Sequence, residues 1–140
     1  MKILVAADGS KYTKRMLGYL AAHDEWLGAK HRYTVLTVVD PLSERVAGAL
    51  DRKVVQSHYA EAAERVLKPI RTFFAKQGID AEFVAKVGAA GEVIANKASE
   101  GKYDLLIMGS HGHGALAKLV LGSVVSRVLA SCEVPLLIVR

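Results

Sequence analysis

Glycines, hydroxyls and imidazoles are concentrated in one stretch, Gly109-Ser110-His111-Gly112-His113-Gly114, and a Gly122-Ser123 pair follows after nine residues from Gly112. Glycine admits backbone conformations closed to other residues and leaves N–H groups open to a ligand that a side chain would shield. The stretch follows Leu105-Leu106-Ile107-Met108, an apolar run that reads as a buried strand, and leads into Val124-Val125-Ser126-Arg127-Val128-Leu129, whose spacing is helical. Gly122-Ser123 therefore stand at a helix start, where unpaired N–H groups and the positive end of the helix dipole favour an anion. The chemistry implied is phosphate binding.

Two familiar phosphate loops fail against this stretch. Gly109 and Gly114 have the spacing of a P-loop, but Ala115-Leu116 stand where its lysine and hydroxyl belong. A dinucleotide fingerprint needs a Gly-x-Gly-x2-Gly triplet near the first strand, and no such triplet occurs. His111-x-His113 invites a metal reading, yet the sequence places no third or fourth ligand beside the pair, so a zinc site is not expected.

These groups act together only if strands and helices deliver them to one place. Lys2 to Ala7 is an apolar run after one lysine, the pattern of a parallel strand covered on both faces, and Asp8-Gly9-Ser10 ends it with turn chemistry. Met16, Leu17, Leu20, Ala21, Asp24 and Leu27 recur at helical spacing up to Gly28, with His23 and Trp26 as packing and surface residues on that helix. Tyr33 to Val39 is β-branched and apolar, and Asp40-Pro41 stops it. The polar segment from Leu42 to about Arg52 has room for a short helix. Val55, Tyr59, Ala62, Val66, Ile70 and Phe73 mark a long helix ending at Gly78, in which Pro69 predicts a kink or a shorter helix that begins later.

Phe83, Ala85 and Val87 alternate with polar partners in Ala81 to Val87, which suits an edge strand. Gly88 to Glu100 reads as a helix closed by Gly101, Tyr103 to Met108 as the fourth strand and Val134 to Val139 as the fifth. The order β-α-β-α-β-α-β-α-β, without linker, repeat or low-complexity segment, makes residues 1–140 one α/β domain: a parallel sheet, helices on both faces, right-handed crossovers.

Composition narrows the class. A chain of 140 residues with 51% hydrophobic content has enough apolar material for a real core and argues against disorder. No apolar run approaches the ~20 residues that span a bilayer, and Met1-Lys2-Ile3-Leu4-Val5 passes into Asp8 without a signal-cleavage pattern, so a cytosolic location and no membrane partner are expected. The single cysteine, Cys132, forms no internal disulfide and reads as buried filler. A net charge of +5 comes from scattered lysines and arginines, with pairs such as Lys14-Arg15 and Arg52-Lys53 as the longest runs, which points to a solvated surface and not to nucleic acid.

Gly109-x2-Gly112-x9-Gly122-Ser123, together with Ile3-Leu4-Val5-Ala6-Ala7-Asp8-Gly9-Ser10, Val38-Val39-Asp40 and Val134-Pro135-Leu136-Leu137-Ile138-Val139, resembles the universal stress protein family in its ATP-binding branch, over nearly the whole chain. The resemblance implies a Rossmann-like five-stranded sheet in the order 3-2-1-4-5, as in adenine nucleotide alpha hydrolases. Strands one and four would then lie side by side where the chain direction reverses, and ligands of such sheets sit beyond the strand ends at that point. It also implies an adenine nucleotide, ATP with Mg²⁺. Ala6, Ala7, Val38 and Met108 would flank the purine. Gly109, Ser110, His111 and Gly112 would wrap the phosphates, and Gly122, Ser123 and Val124 would bind phosphate oxygens at the helix start. Asp8 would accept from the ribose hydroxyls or help hold the magnesium, while its other reading, from turn chemistry alone, is an Asx-turn that caps the first helix.

Leu136 to Val139 would form an apolar sheet edge, which pairing across a two-fold axis removes, and the resemblance implies a homodimer through that strand. The function implied is a nucleotide-dependent sensor or interaction module in a stress response. The alternatives are a slow ATP hydrolase or a partner-binding domain without nucleotide, and the complete glycine pattern counts against the second. Fast phosphoryl transfer needs a lysine or arginine on the developing charge and a group that orients water. Neither spacing nor resemblance gives Lys11, Lys118, His111 or His113 that part, so at most slow hydrolysis is expected.

Overall fold

A computed structural model of the chain describes residues 1–114 and 120–140; Lys118 and its neighbours between Gly114 and Val120 lie outside the described residues. At its centre is β1 (Lys2–Ala6), in which Ile3, Leu4 and Val5 are each 0% exposed. Successive strand side chains point to opposite faces, so an apolar run is stable only where both faces are covered. Ile3 and Val5 pack with Met16, Leu17 and Leu20 of α1 (Lys11–Ala22) and Leu67, Ile70 and Phe74 of α4 (Arg52–Lys76). Leu4 and Ala6 pack on the other face with Ile94 and Ala98 of α5 (Ala90–Glu100) and Val125 and Val128 of α6 (Ser123–Ser131). Each such fully buried aliphatic side chain contributes about 1.5–3 kcal/mol.

All strands are parallel, in the order β3-β2-β1-β4-β5, with β2 at Arg32–Val39, β3 at Ala81–Val87, β4 at Leu105–Gly109 and β5 at Leu136–Val139. β1 pairs Ala6 with Leu36 of β2 on one side and with Met108 of β4 on the other. Chain direction across the sheet reverses between β1 and β4, as the resemblance implies.

Two helices depart from their sequence pattern. The apolar repeat predicts one helix as far as Gly28, but α1 stops at Ala22, and a four-residue turn, α2 (Asp24–Leu27), follows. His23 leaves helical dihedrals at φ −126°, ψ 44°, with its Nδ1 2.9 Å from the Tyr19 carbonyl and its ring stacked on that of Tyr19. The break turns Leu27 fully into the core, where the Tyr33 hydroxyl donates to the Leu27 carbonyl. Burial there pushes the Tyr33 phenol up to about 12.

Pro69, the second departure, neither ends nor delays α4, which runs unbroken over 25 residues. The proline removes one N–H from the ladder, but Ala63, Leu67, Ile70 and Phe74 lie buried on both sides of it and hold the helix to the sheet. The segment with room for a short helix forms α3 (Glu44–Ala49), capped where Ser43 Oγ accepts from the Val46 amide.

Candidate functional site

Beyond the ends of β1 and β4 lies a crevice of about 480 Å³. Ala6, Ala7, Asp8, Val38, Met108, Gly109, His111, Gly112, Gly122, Ser123 and Val124, all singled out from the sequence, line it together. Ser110 does not. It is 1% exposed and knits the loop together: its amide donates to the Val139 carbonyl at 2.8 Å, its carbonyl accepts from Gly122 at 2.8 Å, and its hydroxyl lies 2.9 Å from His111 Nδ1.

Asp8 divides its two readings between its two oxygens. Oδ1 accepts from the Ser10 amide at 2.9 Å and from the Thr13 hydroxyl at 3.0 Å, while Thr13 Oγ1 in turn accepts from the amides of Asp8 and Gly9. That is an Asx-turn feeding a helix cap. Oδ2 takes no hydrogen bond among the described residues and faces the glycine loop, so near that a Cβ on Gly112 would stand 2.7 Å from it. Glycine at 112 is therefore what lets the loop pass the carboxylate. Across the crevice His113 Nε2 is 2.7 Å from the Asp8 carbonyl, which makes Nε2 the protonated donor and ties the loop to the end of β1.

The α6 start is the open side. Gly122 is its N-cap, without a side-chain cap or an acidic first-turn residue, and the amides of Ser123, Val124 and Val125 have no hydrogen bond among the described residues. Such amides carry the positive end of the helix dipole. Gly122 itself is pinned: a Cβ there would lie 3.1 Å from His111 Cα and 3.3 Å from the Ser110 carbonyl oxygen. Among the described lining residues there is no lysine or arginine, and the carboxylate residues are Asp8 and Asp40.

Reading by motif missed part of the wall. Thr13 escaped because it acts through Asp8; Thr37 sits inside an apolar strand run; Ala62 and Val66 come from α4, far from any glycine motif. The alternation of β2 and the helical stripe of α4 carried that signal, but a lining residue and a core residue look alike in both. Among the described residues no group of three or more His, Cys, Asp or Glu side chains is placed to hold a metal ion. No helix among them is long and apolar enough to cross a membrane.

A family model described as the Universal stress protein family matches residues 1–140. The chain is 30% identical over 139 residues to the universal stress protein Slr1230 of Synechocystis, covering 99% of this chain but 42% of that protein, so it spans about two-fifths of that relative's length. It is also 30% identical over 138 residues to a universal stress protein of Thermus aquaticus, covering 99% and 97%. Among solved structures, the hypothetical protein MJ0577 of Methanocaldococcus jannaschii superposes with TM-score 0.78 at 26% identity over 99% of this chain and 94% of that one. A universal stress protein in complex with cAMP gives 0.71 at 23% identity over 100% and 97%. An Arabidopsis thaliana family member with AMP bound gives 0.70 at 16% over 99% and 90%. These last two likenesses are of fold.

Proposed function

Since the chain belongs to the universal stress protein family, we propose that its crevice binds an adenine nucleotide, ATP with Mg²⁺, and that occupancy makes it a cytosolic sensor or interaction module in a stress response. The observation that carries the reading is the pairing of an uncapped helix start with an uncommitted carboxylate oxygen across one cavity. Phosphate oxygens would take the Ser123 and Val124 amides and the Ser123 hydroxyl. The adenine would lie between Ala6, Ala7, Val38 and Met108. Relatives in complex with cAMP and with AMP support this choice of base.

Magnesium favours hard oxygens and is usually held by one or two carboxylates together with substrate phosphates. Asp8 Oδ2 fits that description, and the site suits an ion that arrives with the nucleotide better than one held by protein alone. Bound there, the ion would neutralise phosphate charge. Neither spacing nor resemblance assigns a residue that would neutralise the developing charge or orient water, and on that ground sensing is proposed over rapid hydrolysis. A homodimer through the outer edge of β5, where Leu136, Leu137 and Ile138 are half-buried, completes the proposal.

The test is the ultraviolet spectrum and mass of any ligand released from freshly purified, heat-denatured protein, followed by calorimetry of the emptied protein with ATP and Mg²⁺. An adenine spectrum and measurable heat are expected. No adenine ligand and no binding of any adenine nucleotide would remove the reading.

A further inference from the structure

Five polar residues are buried among those described: Ser10, Thr13, Thr34, Thr37 and Ser110. Four have hydroxyls engaged by the protein. Ser10 accepts from the Thr13 amide, Thr13 donates to Asp8, Thr34 donates to Glu82 and Ser110 meets His111. Thr37, 2% exposed, has no hydrogen bond from its hydroxyl among the described residues. No fully enclosed side-chain polar atom among the described residues lacks a partner, so the Thr37 hydroxyl is not sealed in; it meets the crevice that Thr37 lines.

Its position says what it is for. The last β1–β2 pair is Ala6 with Leu36, and β2 continues past it through Thr37, which pairs only outward, with Ala85 of β3. Leu36 and Val38 pack toward α5 and α6, so the alternation of the strand turns Thr37 to the α4 side, where Ala62 and Val66 also line the crevice. A hydroxyl left open among alanine and valine side chains offers its hydrogen bond to whatever fills the crevice, water or ligand. β2 lies two strand spacings, about 10 Å, from β4 and its phosphate loop. That is the far end of a ligand whose phosphates sit at the α6 start.

We propose that Thr37 is a specificity-determining binding residue whose hydroxyl hydrogen-bonds the heterocycle of the bound nucleotide. This deepens the nucleotide reading above and rests on it. Thr37→Val keeps the β-branched shape and removes only the hydroxyl; Thr37→Ser keeps the hydroxyl. ATP affinity by calorimetry and the melting temperature of the ligand-free protein are measured for both and for the parent chain.

Thr37→Val is expected to weaken ATP about tenfold, the worth of one hydrogen bond, with Thr37→Ser within about threefold of the parent. The ligand-free melting temperature of Thr37→Val should be equal or higher, because no internal bond is lost. Unchanged ATP affinity in Thr37→Val overturns the assignment and leaves the nucleotide reading standing. So does a loss matched by Thr37→Ser, which keeps the hydroxyl and would put the effect in the rest of the side chain, or one accompanied by a lowered ligand-free melting temperature, which would make the hydroxyl structural. A parent chain that binds no adenine nucleotide overturns both.

Discussion

Two helices start at the same crevice from neighbouring strands, and they start differently. α1 follows β1 through Asp8-Gly9-Ser10, and its first turn is closed by the chain itself: Ser10 Oγ accepts from Thr13, and Asp8 Oδ1 accepts from Ser10 and Thr13. α6 follows β4 through the glycine loop and begins at a glycine that caps nothing with a side chain. A helix leaves its first N–H groups without internal partners, and they are satisfied by caps, by water or by a ligand. Of the two helix starts at the sheet's reversal point, one is capped by side chains of the chain and the other has no side-chain cap. In the proposed nucleotide complex, this contrast would put the anionic groups toward α6 and, toward β1, a carboxylate with one oxygen to spare.

The largest expected effect comes from closing the open side. Gly122→Val should abolish nucleotide binding, lowering affinity by more than a hundredfold. The cause is packing inside the loop: a Cβ at 122 already meets His111 Cα at 3.1 Å, and the two γ-methyls of valine have to push the loop backbone away from the α6 start. The sheet and helices should remain by circular dichroism, because the clash is confined to the loop and the helix cap. Undiminished affinity in a folded variant would show that the open helix start is not where the ligand binds.

Next comes the residue that serves both sides. Asp8→Ala removes Oδ1 from the α1 cap and Oδ2 from the crevice. The first loss should lower stability by about 0.5–2 kcal/mol in denaturant unfolding, as for other cap deletions. The second should weaken ATP and remove most of its dependence on Mg²⁺. Thr13→Val, which removes one of the two partners of Oδ1 and the acceptor of the Asp8 and Gly9 amides but leaves Oδ2 in place, should reproduce the stability loss and leave much of the Mg²⁺ dependence. Equal loss of Mg²⁺ dependence in both variants would mean that the carboxylate only holds the turn.

How much of this was legible beforehand follows from what each signal measures. The apolar runs at Ile3-Leu4-Val5 and Leu105-Leu106-Ile107-Met108 are long because both faces of a central parallel strand are covered, so the sheet and the loops at its ends could be read directly. The loop end of the crevice was legible because its glycines mark where β4 ends and α6 begins. The other end is built from alanine, valine and threonine on β2 and α4, where lining a crevice and filling a core demand the same residues, and Thr37 went unnoticed in Tyr33 to Val39. The break at His23 was hidden for a related reason: the apolar repeat continues to Leu27 although the backbone does not stay helical. Around Pro69 the pattern held while the breaker did not break, because the buried residues of α4 hold the helix on either side of it.

The smallest effects give the sharpest test, since they set the serines at the two helix starts against each other. Ser10 is the N-cap of α1 and is 4% exposed, whereas Ser123 is the first residue of α6, exposed, with no side-chain bond to its own helix. If α1 is closed by the chain and α6 by a ligand, the same truncation should be felt in different measurements. Ser10→Ala should cost about 1 kcal/mol of stability, the usual worth of a serine cap, and change ATP affinity little. Ser123→Ala should leave the unfolding midpoint of the ligand-free protein unchanged and cost about 1–2 kcal/mol of ATP binding, as for one hydrogen bond to a charged group. The two variants then differ in opposite directions on the two axes, which neither a general loosening of the crevice nor a shift in the unfolded state reproduces. If Ser123→Ala lowered stability as much as Ser10→Ala did, and left binding intact, the α6 start would be capped by its own serine, and the distinction between the two helices would collapse.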